Sequence, residues 1–436
     1  PFNSPDQITV QGYCHLPAID SLHECHRKIP EYKDKEVMDQ TPVEGANPKP
    51  SRFLIVWFLL RSLLVTHNGE ESSQPEDDQV AVADSIPPAL DDDALAKVNL
   101  PRKLPSIVEI KKAIPQQCFE SNTPLSIYYM IKDFVLVAGL YLLVEWTWTV
   151  FPPATQFVIT PLYWLLQGTM FTGLFVAGHD AGHGSFSNSE LVNTICGNIC
   201  HTFLFCPYYM WKISHRKHHK NTGNIDKDEV FYPVRKRDDN KLGVLPGFGL
   251  GVGWFAYLIK GYKPRGVHHF NPLDPMFRYH VMHCIISMIC LILWSMCLAR
   301  VIETLGLGVF CYHYVLPEFV FGSYTVIITF LHHHDDDIPW YADSLWDNVR
   351  GQLSSVDRSY GWCHHLIHHI GTHQIHHLFP KIPHYNLEEA TSAFRKAFPK
   401  LVNIRQEPIL PAFCRMFRKY VKHGIITDDA LLHQYK

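Results

Sequence analysis

The chain has 12 cysteines but no CxxC pair, and several of them sit inside apolar runs where a thiol reads as a small hydrophobe. A disulfide framework is therefore not expected. Neither sign of charge dominates: 39 Lys and Arg stand against 42 Asp and Glu, for a formal net charge of -3. Without a global basic field, nucleic acid is not an expected partner. Charge is also scarce, at 19% of residues, whereas aromatics reach 13% and histidine occurs 28 times. That mixture points to lipid contact combined with metal or proton chemistry. No arginine- and serine-rich transit segment is evident, although the sequence starts at Pro1 and a leader ahead of it stays open.

Residues 1–100 are polar and proline-spotted, with acidic patches at Glu76-Asp77-Asp78 and Asp91-Asp92-Asp93. Such a segment cannot bury a core and is expected to be mostly disordered. Residues 53–65 form an apolar run interrupted by Arg61, too short to span a bilayer. Four later stretches are long enough: 127–151, 153–177, 279–299 and 304–331, the last interrupted by Pro317 beside Glu318, which predicts a kink or two half-segments. The short Phe151-Pro152-Pro153 link makes the first two an antiparallel hairpin. Lys111 and Lys112 precede the first hairpin, and Arg216, Lys217, Lys220, Arg235, Lys236 and Arg237 follow it, so both hairpins should open to the cytosol. Residues 191–211 lack Asp, Glu, Lys and Arg, but Asn193, Asn198, His201 and Pro207 make them an interfacial or buried segment rather than a span. The expected fold is all-α: an integral membrane protein of four transmembrane helices in two hairpins, with a cytosolic helical cap.

Histidine carries the chemistry. His179 and His183 form HxxxH at the end of the second stretch; His215, His218 and His219 form HxxHH, and His373, His376 and His377 repeat it after the fourth. Positions i, i+3 and i+4 share one helix face, so each cluster can aim its imidazoles at one point. At a histidine frequency of roughly 0.064, HxxHH should arise about 0.1 times in the chain by composition. It arises three times, the third being His365, His368 and His369, so pattern alone does not separate ligands from bystanders. On one continuous helix His365, His369, His373 and His377 would share a stripe. Eight or nine imidazoles exceed the needs of one metal and suit two. Non-haem iron with nitrogen ligands and an open position can turn dioxygen into an oxidant able to take hydrogen from an unactivated methylene.

The stretches HDAGHGSFS from His179, WKISHRKHHKNTG from Trp211 and GTHQIHHLFPKIPHY from Gly371 resemble the membrane fatty acid desaturase family, in its methyl-end branch of omega-3 and delta-12 enzymes. IKKAIPQQCF from Ile110, HHFNP from His268, LHHH from Leu331 and SVDRSYGW from Ser355 extend the likeness over about residues 105–411, giving an expected desaturase domain at 101–420 and a tail at 421–436. Carried over, the resemblance implies iron ligands at His179, His183, His215, His218, His219, His373, His376 and His377. A ninth falls best on His333, with His332 and His334 as neighbours that spacing does not exclude. Box one and Ile375 are similar to omega-3 rather than delta-12 enzymes, whereas Ala181, His364 and His365 depart from the usual residues.

The resemblance implies a cofactor of two iron ions, dioxygen as co-substrate, membrane acyl chains as substrate and a possible homo-oligomer. No HPGG haem signature occurs, so electrons must come from a separate donor: cytochrome b5 with its reductase in the endoplasmic reticulum, or ferredoxin in a plastid. The lack of a transit-like leader favours the former, with the active site facing the cytosol. The alternatives are a delta-12 desaturase, a hydroxylase or epoxygenase on the same site, and, from another class, a histidine-rich metal transporter. Transport wants ligands within the spans. Asp180, between two of the clustered histidines, reads equally as an orienting carboxylate or a solvated helix-end acid. Asp357 and Arg358 read equally as an internal ion pair or a head-group contact.

Overall fold

Helix starts and stops follow local chemistry. Helix α1 (Ile107–Lys112) opens on a reciprocal capping pair, Ser106 with Glu109. Helix α2 (Thr123–Val150) is capped by the Asn122 side chain, which accepts from Leu125 N–H. Its 28 residues reach roughly 42 Å, enough to cross a hydrocarbon core. After a proline-bearing turn, α3 (Gln156–His183) runs back beside it: Gln156 reaches Thr147 and Gln167 reaches the Val137 carbonyl, so the two are antiparallel. The computed structural model describes residues 104–238 and 247–436. The polar first hundred residues and the 53–65 run lie outside them.

The segment 191–211 is two helices rather than one. Helix α4 (Glu190–Phe203) is followed by a left-handed Phe205, whose φ is 52°, and α5 (Tyr208–Asn221) starts after Pro207. With 14 residues, about 21 Å, α4 is too short to cross a bilayer. It buries Asn193, Asn198 and His201 while Leu191, Ile195 and Ile199 are exposed along the other face. Helix α6 (Val252–Lys260) packs on the bundle, and α7 (Val281–Leu305) turns at Gly306 into the next helix. That helix begins at Leu307–Phe310, widens into a π turn at Cys311–Val315 and continues as α8 (Leu316–His333). The wide turn precedes Pro317 and absorbs it, so the chain passes through as one long helix where two half-segments were the alternative.

Thr160 meets Tyr312, and Thr169 meets Tyr324, so α3 and α8 run parallel and end on the same side. Their approach needs Gly168: a Cβ there would lie 2.5 Å from the Val320 side chain and 2.9 Å from the Pro317 carbonyl. Among the described residues three helices are long and apolar enough to cross a membrane: Thr123–Val150, Val281–Leu305 and Leu307–His333. The remaining long helix, α3, is mostly buried by its neighbours over its second half, so protein rather than lipid surrounds its glutamines, threonines and histidines. The charged residues of the first stretch find partners. Asp133 contacts His368, and Glu145 lies 2.9 Å from His313.

The cap contains α9 (Asn348–Leu353), α10 (His373–Leu378), α11 (Leu387–Ala397) and α12 (Ile409–His423). The departure from an all-helical cap is slight: three strand pairs of two residues each among the described residues. Val234–Arg235 pairs with Ile425–Ile426, Trp340–Tyr341 with Leu432–His433, and Asp357–Arg358 with Ile404–Arg405. Residues beyond 420, expected as a tail, thus join the cap, and Tyr435 is fully buried.

Asp335, two residues beyond His333, is buried and binds Arg358, with Arg415 at 3.2 Å and Arg405 at 3.4 Å. It joins the end of α8 to the Asp357–Arg358 strand, to its partner strand and to α12. Asp357 and Arg358 therefore make internal ion pairs, but with Arg395 and Asp335 rather than with each other. Asp335→Ala leaves the buried Arg358 charge without its carboxylate, a loss of about 3–5 kcal/mol. The expected outcome is a markedly lower melting temperature in detergent; an unchanged one would show that the network contributes nothing.

Candidate metal centre

The three boxes reach one place because of the helices that carry them. His179 and His183 share a face of the last turns of α3, His215, His218 and His219 line α5, His333 ends α8, and His373, His376 and His377 occupy α10. Eight of the nine are buried and His215 is partly buried. They fall into two groups. In the first, His179, His183, His215, His219 and His376 each place a ring nitrogen within 4.8 Å of the others. His219 Nε2 lies 3.1 Å from His215 Nε2 and 3.3 Å from His376 Nε2. In the second, His218, His333 and His377 converge in the same way. His373 joins them, its Nε2 standing 2.9 Å from His377 Nε2 and 3.3 Å from His333 Nε2. The groups adjoin, with the His219 and His377 rings stacked 4.1 Å apart.

So many nitrogens facing one another suit a cation, since two neutral imidazoles sharing one contact use only one proton and one lone pair. Rings are fixed from behind. His218 Nδ1 is 2.6 Å from buried Asp228, whose other oxygen accepts from Gly223 N–H at 2.9 Å. That leaves His218 Nε2 bare toward His333 at 3.1 Å. His377 Nδ1 meets Thr222 Oγ1 and Gln352 Oε1, each at 3.1 Å. Asp180 chiefly holds His384, accepting its backbone N–H at 2.9 Å and facing its Nδ1 at 2.8 Å, while His179 Nδ1 stands off at 3.6 Å.

The other candidates go elsewhere. Both His332 nitrogens are engaged, by the Val356 carbonyl and by Tyr360 Oη, and His334 bonds the Phe330 carbonyl and stacks on the Phe330 ring. The stripe that one continuous helix would make from His365 to His377 does not form: His368 and His369 have φ of 54° and 57°, and α10 begins only at His373. His368 turns to Asp133 and stacks near His384. Asp228, Thr222, Gln352 and His384 were not anticipated. Thr222 and His384 lie inside the stretches that carry the family likeness and Asp228 is an acid shortly after the second box, whereas Gln352 had no cue.

Burial, then the neighbouring imidazoles, holds His215, His219, His373, His376 and His377 well below the usual histidine range. Folded, they stay neutral where the unfolded chain, with ordinary imidazoles near about 6.5, takes up protons. Their contribution is therefore intact above about pH 6.5 and is lost as the pH falls below it. Metal-free protein should melt lower at about pH 5.5 than at about pH 7.5; the same melting temperature at both would contradict the burial of these rings as neutral groups.

A cavity of about 80 Å³ touches His179, His215, His218 and His373, and Phe175, Val176, Trp211, Trp254, Val326 and Ile328 make much of the remaining wall apolar. Fold and site define a class: a largely helical protein with membrane-length apolar helices and a buried polyhistidine centre beside an apolar cavity. A fatty acid desaturase family model matches residues 124–408. An sn-1 acyl-lipid omega-3 desaturase (ferredoxin) of Synechocystis sp. is 37% identical over 323 residues, covering 72% of this chain and 86% of the relative. An omega-3 fatty acid desaturase of the endoplasmic reticulum from Nicotiana tabacum is 36% identical, over 69% of this chain and 79% of its own length. A temperature-sensitive chloroplastic sn-2 acyl-lipid omega-3 desaturase (ferredoxin) from Arabidopsis thaliana is 35% identical, over 70% and 69%. The chain belongs to the fatty acid desaturase family and is an oxidoreductase.

Proposed function

We propose that the protein inserts a methyl-end, omega-3-type double bond into acyl chains that already carry an omega-6 one. The observation that carries this reading is the contact between the two imidazole groups and an apolar cavity. His179, His183, His215, His219 and His376 would hold one iron, and His218, His333, His373 and His377 the other. Bound iron would supply dioxygen activation. The balance is complete: two hydrogens from adjacent methylenes, with two electrons and two protons from outside, reduce one dioxygen to two waters. Apolar walls at Phe175, Val176 and Val326 take the acyl chain and keep bulk water from the reacting carbons. Asp228, Thr222 and Gln352 hold His218 and His377 in position.

The names of the relatives support omega-3 selectivity, and the tobacco protein supports the endoplasmic reticulum. Four spans in two hairpins, with α3 as the interior one, put every box on the cytosolic side, where cytochrome b5 would deliver electrons; ferredoxin, named for the cyanobacterial relative, is the other donor. The catalytic unit runs from about residue 101 through 420, and the last residues close the cap. In yeast fed linoleate, expression should yield the trienoic acid with its new double bond toward the methyl end. A hydroxylated product, or linoleate made from oleate in its place, would overturn the assignment.

A further inference from the structure

One HxxHH sequence, His365 to His369, is not absorbed by the nine-imidazole centre. Around it His364, His369 and Glu388 bring one ligand atom each to within 4.8 Å of one another. Glu388 Oε1 is 2.8 Å from His369 Nδ1. Both Nδ1 atoms, of His364 and of His369, are shielded from solvent, and that of His364 makes no hydrogen bond. On the far side of the ring, His369 Nε2 lies 3.2 Å from His365 Nδ1. Metal-bound imidazoles are oriented in this way, with a partner on the nitrogen that does not coordinate. The left-handed backbone at His368 and His369 separates two destinations, sending the first ring to Asp133 and the second to Glu388.

We propose that His364, His369 and Glu388 form a third metal site, for a divalent cation of the zinc class, with His365 orienting His369. Two imidazoles and a carboxylate are a zinc ligand set, and a water completes four-coordination. The cation ties the loop after Cys363 to the first turn of α11, where Glu388 sits. The same loop leads into the third box. The His369 carbonyl accepts both the backbone N–H and the hydroxyl of Thr372, the residue before His373. The site therefore clasps from outside the segment that carries three of the nine imidazoles, and none of its own side chains belongs to that centre.

Tag-free, iron-loaded full-length protein in detergent, dialysed against zinc, decides the matter when both metals are counted. One zinc per chain should bind with no loss of iron and should raise the melting temperature. His364→Asn combined with His369→Asn should abolish the zinc and the thermal shift with iron unchanged, asparagine being chosen because it tolerates left-handed backbone. Glu388→Gln, an exposed change that does not threaten folding, should lower zinc affinity, and His365→Ala should weaken it about 10- to 100-fold. Zinc that binds only by displacing iron, no zinc at all, zinc retained by the double variant, or unchanged zinc affinity in Glu388→Gln would overturn the proposal. An iron count other than two would fault the desaturase site and leave the zinc result standing by itself.

Discussion

His376→Ala is expected to abolish double-bond formation and to strip iron from the protein. His376 is buried, its Nε2 lies 3.3 Å from His219 Nε2, and its ring packs against His179 and His183. Removing it opens the first imidazole group on the side of the third box. Residues that merely orient a ligand are worth about 10- to 100-fold in metal affinity or activity. A ligand itself should exceed that range, so product should fall by at least about 100-fold. Counting iron in the purified variant and measuring its product by gas chromatography of total lipids tests both halves together. A variant with full iron and full product would remove His376 from the centre.

Asp228→Asn should act one step further out, with a different signature. The carboxylate is fully buried, and it fixes His218 through the 2.6 Å contact to Nδ1, so that Nε2 offers a lone pair toward His333. Asparagine keeps the shape but loses the charge that favours a proton on Nδ1. Iron affinity should fall about 10- to 100-fold, read as faster loss to a chelator, and excess iron should restore turnover. Excess iron should not rescue His376→Ala. If Asp228→Asn released iron no faster than the unaltered protein, Asp228 would be a structural acid only.

Much of the centre was legible because its logic is local. HxxxH and HxxHH place imidazoles on one helix face whatever the rest of the chain does, and the parallel run of α3 and α8 brings their histidine-bearing ends together. The family was legible from the same boxes. The choice within His332, His333 and His334 rested on likeness, because three adjacent residues on a helix end point three ways. Only the packing of Val356, Tyr360 and Phe330 sends the outer two elsewhere. His384 could not be read as the partner of Asp180, since 204 residues separate them and neither has a spacing that announces the other. The wide turn before Pro317 was hidden for another reason: a proline reports a missing N–H, not how the backbone accommodates it. Hydropathy likewise marked α3 as a stretch like the others, although its surroundings are mostly protein.

The strand pairs have a consequence for biosynthesis. Val234 and Trp340 wait for Ile425 and His433, partners that leave the ribosome long after His377, the last of the nine imidazoles, has been made. The cap can therefore close over the centre only after all nine imidazoles have been made.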